Sequence, residues 1–455
     1  MPRPRAKHPA IDLEAILGAY TGNAALDRLL HIAERAEDRE IALDALRHAQ
    51  RALESSVNPF TLKPPAFSNG RAYERAMAIA KKREFSSTEI ELSREWLEKN
   101  ARSADAELRK LESGLSDLLT ERVKENLRMQ YVELGDHYYD RGDLKNALAC
   151  YMRTRDYCST PKHVISMCLS IVAVSLESES FAHVNVHANK ATTSLDQLDD
   201  DDDDDVVITR AKLACACGIA ALRLGRYAEA ANKFTEIPTE IATSYASVCS
   251  AKDVATYGTL CALASFDRKD LRELILDNKK SAFRAHLEAA SDVREMVQDF
   301  YNSKYTSCFT ALESMRDALA LDLHLGSHVD TLYKKIRERA LIQYVEPYIS
   351  VDLRIMAKAF NTTTEAIEGE LTHLIAADKI LARIDGTDST LRSTSTNLRA
   401  KVFDQIIADG EKFEEETRAA LLRMSMLQHG VVVRADDDGR TRERRAPTID
   451  AQDKP

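Results

Sequence analysis

Glycine and proline are scarce, 15 and 11 among 455 residues. That excludes a collagen-like repeat and a proline-rich linker chain, and it favours helices. Tryptophan occurs once, at Trp96. Long apolar runs are absent too. The longest, 164–176, is interrupted by Ser166, Ser170 and Ser175 and falls short of the roughly 18–20 residues that a bilayer-spanning helix needs. No membrane partner is expected. Residues 1–11 are basic and proline-rich but lead into no apolar segment, so they do not read as a secretory signal, and the chain is expected in nucleus and cytoplasm. The eight cysteines include no CxxC pair, which suits reduced, buried thiols rather than a disulfide framework or structural zinc. A net charge of -10 is the wrong sign for tracking a phosphate backbone, so no nucleic acid partner is expected.

Catalytic signatures are missing as well. The chain contains no P-loop, GxGxxG, HExxH, GxSxG or kinase motif set. His183 with His187, and His324 with His328, stand at i, i+4 spacing, which on a helix would turn two imidazoles to one side. Neither pair has an intervening glutamate or an evident third ligand, so both read as ordinary helix histidines. Cys215 and Cys217 would lie on different helix faces as small hydrophobes. No catalytic residue, metal or cofactor is predicted.

What is present is helical periodicity. An N-terminal segment, 12–120, opens with Leu13, Ile16, Leu17, Leu26, Leu29, Leu30 and Ile32 at helical spacing, predicting two or three helices. A proline-rich break at 55–70 follows, then charged sequence to 127 that predicts one or two long helices. From Tyr131 the spacing Tyr131, Leu134, Gly135, Tyr138, Ala147, Tyr151 fits a tetratricopeptide hairpin, in which small residues let two helices approach and aromatics fill the groove. Gly142 and Asp143 supply a stop and a cap. A degenerate second copy reads Cys217, Gly218, Ala221, Gly225, Tyr227, Ala230, Phe234, with a further helix pair (162–176 and 181–195) between the copies. Helical repeats are predicted over 121–345, interrupted by the aspartate run 199–205. That run reads as a solvated loop insertion, because like charges repel and extend the chain; helix resumes at Val206.

A winged helix is predicted over 346–395. Ser350 caps a helix carrying Leu353, Met356, Ala357 and Phe360. Thr362 and Glu365 have capping-box spacing before the second helix. A strand 380–385, a Gly386-Thr387-Asp388 turn and a strand 389–392 complete it. The second helix carries Glu365, Glu368, Glu370 and Asp378 against Lys379, which argues against the DNA docking that such motifs often serve. Lys334, Lys335, Arg337 and Arg339 read as a solvated amphipathic face. Unpaired backbone around Ile380, Leu381, Ala382, Arg383 and Ile384 could accept a strand from another protein. A last helix, 396–429, carries Leu398, Val402, Ile406, Phe413, Leu421 and Met424 along one side, and a polar, disordered tail follows at 430–455.

The stretches ELGDHYYDRGDLKNALACYMRTRDYCSTPKHVISMC, DVATYGTLCALASFDRKDL, FYNSKYTSC, LYKKIRERALIQYVEPYISVDL and MAKAFNTT resemble the PCI family of proteasome-lid, signalosome and initiation-factor subunits, and within it the signalosome branch. The resemblance runs with gaps over 12–428; the run 199–205 departs from it. It implies an all-α dominated fold: an irregular TPR-like solenoid, a winged-helix (PCI) subdomain and a long C-terminal helix. It also implies a non-catalytic scaffold that supports deneddylation of cullin-RING ubiquitin ligases, the metalloprotease lying on another subunit. Its partners would be other signalosome subunits, met at the strand edge Ile380–Ile384 and in a helical bundle through Leu398 to Met424, and cullin-RING ligases through the complex. The alternative is the homologous subunit of the proteasome regulatory lid.

Overall fold

The structure is a computed structural model. It describes residues 13–20, 23–54, 69–85, 90, 93–121, 123–197, 204–237, 248–276, 283–394 and 398–430. The chain divides into two compact units, Met1–Ile380 and Leu381–Pro455, with the division inside the span that the sequence assigns to the winged helix.

The first unit opens with α1 (Leu13–Ala19), α2 (Asn23–Arg35) and α3 (Arg39–Glu54), so the early periodicity resolves as three helices. The proline-rich stretch 55–68 lies outside the described residues. Asn69 then caps α4 (Gly70–Lys82), its Oδ1 accepting the Ala72 N–H at 3.0 Å. Leu29, Leu30, Leu46 and Tyr73 are fully buried between these helices, and Tyr73 stacks on Trp96 at 4.4 Å. The charged stretch beyond Gly70 contains one long helix, preceded by the shorter α4. That helix is α5 (Arg94–Glu121); α4 ends at its cap Arg83, and α6 (Lys124–Arg141) starts anew three residues after α5.

Antiparallel hairpins follow: α6 with α7 (Leu144–Arg153), then, after a 3-10 turn Thr154–Tyr157, α8 (Pro161–Glu177) with α9 (Phe181–Leu195), then α10 (Asp204–Arg223) with α11 (Tyr227–Thr235). The expected repeat chemistry is present. Gly142 (φ 88) ends α6 and Asp143 caps α7 by accepting the Asn146 N–H. A methyl on Gly218 would lie 2.8 Å from the Phe234 ring, so the absence of a side chain is what lets α10 and α11 approach. Of the aspartate run, 199–203 lie outside the described residues. Asp204 and Asp205 open α10, two residues before the expected start at Val206, where the positive helix end favours carboxylates.

Next come α12 (Ala251–Ser265), α13 (Arg268–Leu271) with a π-helical turn Arg272–Leu276, α14 (Phe283–Glu288), α15 (Ser291–Tyr301), α16 (Tyr305–Ala320) and α17 (Val329–Val345). Every residue of α12 from Asp253 to Leu263 is buried, because α11, α14, α15 and α17 all pack against it. The unit ends with a three-residue strand β1 (Ser350–Asp352), α18 (Leu353–Ala359) and α19 (Thr364–Ala376). Phe360 stacks on Tyr305 at 5.1 Å and meets Tyr344 edge-on at 5.6 Å, fixing α18 against α16 and α17.

Two expected caps are wrong. Ser350 lies in β1, where Val351 is buried between exposed neighbours, and Asp352 caps α18 by accepting the Arg354 N–H at 2.8 Å. Asn361 (φ 50) prolongs the turn after α18, so Thr363 caps α19 in place of Thr362. The histidine pair 324/328 is not helical either. Residues 321–328 form turns, closed where a Cβ on Gly326 would meet the Ala320 and Asp322 carbonyl oxygens at 2.7 and 2.8 Å.

Two polar contacts invisible to local patterning tie α1 and α2 to the array. Arg28, itself 6% exposed, lies 3.9 Å over the Tyr20 ring and donates to Asp253 Oδ2 at 3.4 Å, while Tyr20 Oη donates to the same oxygen at 2.5 Å. Asp253 also accepts the Ser250 N–H, closing the capping box of α12. At the end of α8, Glu177 accepts the Tyr139 hydroxyl. Burial, reinforced by Asp27, pushes the Glu177 carboxyl up to about 8, against the opposing pull of Tyr139, Asn23 and Arg71.

The second unit contains β2 (Ala382–Asp385), β3 (Thr390–Ser393) and α20 (Leu398–Gln428). β2 and β3 are antiparallel, with Ala382 opposite Ser393 and Asp385 opposite Thr390. Arg392 reaches Asp385 and Asp388 at 3.7 and 3.5 Å across the turn. The tail 431–455 and residues 1–12 lie outside the described residues.

Candidate assembly surfaces

A soluble helix hides its apolar stripe, and α20 does not. Val402, Ile406, Phe413, Leu421 and Met424 are 55–70% exposed, and so are Phe403, Leu422 and Leu427, which the sequence reading left out. They stand one residue from, or three or four residues from, the predicted positions. Widening the stripe by one helical neighbour would have found them. Leu398 opens the helix, and its side chain is outside the described set. A 31-residue helix with this much bare apolar surface has no core of its own to bury it.

The strand edge is narrower than expected. β2 starts at Ala382, not at residue 380, and the Ile380 and Ala382 side chains are buried while Leu381 and Arg383 are exposed. Ile384 is half-buried. The Thr394 N–H donates to the Leu381 carbonyl at 3.0 Å, so in this antiparallel register Leu381, Arg383 and Asp385 aim their backbone groups at β3. Ala382 and Ile384 therefore aim theirs away from it. Among the described residues no strand pairs with that side of β2. In the first unit Tyr348, Ile349 and Ile355 are exposed at 53%, 83% and 61% around β1 and α18. Nothing local marks them, since an apolar residue in a short mixed element looks the same whether it faces core or solvent.

Of the basic residues of α17, Lys334 and Lys335 are exposed as expected, but Arg337 and Arg339 are not part of a solvated face. Arg337 Nε donates to both oxygens of Glu370 at 3.0 and 2.8 Å; Arg339 bonds the Ser265 and Phe266 carbonyls and Asp267. Lys335 lies 4.5 Å over the Tyr227 ring, and Lys379 donates to Glu338 at 2.6 Å. Arg337, Arg339 and Lys379 fasten α19 and the end of α12 to α17, so their charge is already matched within the unit.

Among the described residues no group of three or more His, Cys, Asp and Glu could hold a metal. His328 Nδ1 faces the Tyr227 hydroxyl at 3.1 Å, and burial, helped by Arg28, lowers His324 well below the usual histidine range. All eight cysteines are free, and burial raises the thiols of Cys261 and Cys308, the latter to about 12, which suppresses thiolate chemistry.

Stacked helical hairpins followed by helices, a small wing and a bare terminal helix define a helical-repeat subunit built for assembly. Residues 93–274 match the family model for 26S proteasome subunit RPN7, and residues 304–395 match the PCI domain. The chain is 39% identical over 430 residues to COP9 signalosome complex subunit 1 of Arabidopsis thaliana, covering 94% of this chain and 92% of that one. It is 32% identical over 465 residues to COP9 signalosome complex subunit 1b of Drosophila melanogaster, covering 94% and 87%. The chain belongs to the COP9 signalosome subunit 1 family. The 26S proteasome non-ATPase regulatory subunit 6 of Dictyostelium discoideum is 20% identical over 68% of this chain, a more distant kinship.

Proposed function

We propose that this chain is a non-catalytic scaffold of a signalosome, supporting deneddylation of cullin-RING ubiquitin ligases whose isopeptidase lies on another subunit. The observation that carries the reading is the exposed apolar surface of α20, with Phe413 at 70% and Ile406 at 64%, on a chain of the signalosome subunit 1 family. In the assembled particle α20 contributes Val402, Ile406, Phe413, Leu421 and Met424, with Leu398 at its start, to a helical bundle shared with other subunits. The outward backbone groups of Ala382 and Ile384 align a strand from a neighbouring PCI subunit. The same reading places the chain in nucleus and cytoplasm, which fractionation with immunoblotting tests.

The decisive experiment is native affinity purification with mass spectrometry, comparing the full chain with one truncated after Arg392. Recovery of signalosome subunits and cullins with the full chain, and their loss with the truncation, supports both function and mode of assembly. Recovery of proteasome particles would assign the chain to the regulatory lid, and retention of all partners by the truncated chain would remove α20 from the assembly.

A further inference from the structure

One end of the repeat array is cationic in a chain whose net charge is -10. Several contacts bring its parts together. Glu125 in the first turn of α6 accepts from Arg128 at 2.6 Å and lies 3.8 Å from His163 of α8. Tyr157, in the 3-10 turn, stacks on Tyr131 of α6 at 5.6 Å. Lys190 of α9 and Arg128 both act electrostatically on Cys158, beside that turn. Around this junction Lys124, Arg153, Arg155, Lys162 and Lys190 are exposed, and among the described residues none of the five pairs with a carboxylate. Lys162 stands in the first turn of α8, which holds no acidic residue, so its charge adds to the positive helix end.

Two exposed methionines share this end. Met129 and Met152 are 50% and 41% exposed and lie at the end of the α6–α7 hairpin remote from the Gly142 turn. Thioethers are unbranched and polarizable, and they adapt to varied apolar side chains.

We propose that this cationic end, formed by α6, the 154–157 turn, α8 and α9, docks an acidic, amphipathic segment of a partner protein. Unmatched cations draw in carboxylates and set the on-rate, while the thioethers take the apolar residues between them. A nucleic acid would match the cations alone. It has no use for the methionines, and the negative charge of the rest of the chain would repel a long polyanion.

The test uses the full chain in isolation, so its result does not pass through assembly. A labelled peptide of repeating Glu-Glu-Leu-Glu serves as probe, read by fluorescence anisotropy at low and raised salt. Polyglutamate and oligothymidylate of matched length serve as comparisons. Arg153→Glu with Arg155→Glu and Lys162→Glu is expected to weaken the peptide by about tenfold or more, and Lys81→Glu with Lys269→Glu, on α4 and α13, to leave it unchanged. Met129→Gln with Met152→Gln is expected to weaken the peptide several-fold and to leave polyglutamate unaffected. Equal binding by the charge-reversed chain overturns the site. Polyglutamate binding as tightly as the peptide overturns the apolar half of the recognition, and tighter binding of oligothymidylate reassigns the surface to nucleic acid.

Discussion

Gly135 and Tyr151 occupy the same space across the α6–α7 hairpin: a Cβ on Gly135 would lie 2.6 Å from Cε1 of the Tyr151 ring. The ring cannot retreat, because it is buried and its hydroxyl donates to Asp136 Oδ1 at 2.5 Å. Gly135→Ala gains about 1 kcal/mol of helix propensity and loses about 1–3 kcal/mol to overpacking, so net destabilisation is expected. Gly369 in α19 is the opposite case, with nothing within 4 Å of its notional Cβ. Gly369→Ala is expected to stabilise by about 0.5–1 kcal/mol. Denaturant unfolding of the two variants should give shifts of opposite sign, and shifts of the same sign would refute the packing account.

The Arg28–Asp253 contact joins residues 225 positions apart. Removing one member of a buried pair leaves the other charge unmatched, at about 3–5 kcal/mol. Arg28→Ala should therefore destabilise far more than Arg102→Ala, whose partner Glu98 is exposed and whose pair is worth about 1 kcal/mol or less. Thermal unfolding of both variants decides this, and equal shifts would refute it.

Glu177 makes stability depend on pH. Its folded carboxyl titrates at about 8, above the ordinary 4.5. Between these values the unfolded chain has released a proton that the folded chain still holds, so stability falls as pH rises through the window. The loss is complete above pH 8. Glu177→Gln should flatten the slope of unfolding free energy between pH 5 and 8, and an unchanged slope would show that Glu177 is not its source.

Phe413 is 70% exposed, so Phe413→Asp should change the chain's own stability by no more than about 0.5 kcal/mol. If α20 enters a shared bundle, the same variant should lose its partners in native purification. Loss of stability without loss of partners would contradict this assignment.

The legible parts of this molecule are those whose causes are local. Gly135, Ala147 and Tyr151 announce a hairpin because the close approach of two helices is written within one repeat, and the α20 stripe is visible because helical period repeats over 31 residues. Arg28 and Asp253 left no trace, since neither has a neighbour in sequence that marks it as buried. Arg337 and Arg339 look solvated in the sequence for the same reason: their partners, Glu370 and the end of α12, come from other elements. The His324/His328 spacing suggested a helix face only until Gly326 closed a turn between them.

If both surfaces enter an assembly, the shortness of β2 divides labour between them. With only Ala382 and Ile384 turned outward, the edge offers two donors and two acceptors, hence at most four backbone bonds at about 0.5–1.5 kcal/mol net each. Fixing one protein against another costs about 4–15 kcal/mol in lost rigid-body freedom. A seam of four bonds, about 2–6 kcal/mol in all, falls short of most of that range and cannot by itself be counted on to hold two proteins together. If the edge does take a neighbour's strand, most of the grip must come from elsewhere, as the bare stripe of α20 would supply it.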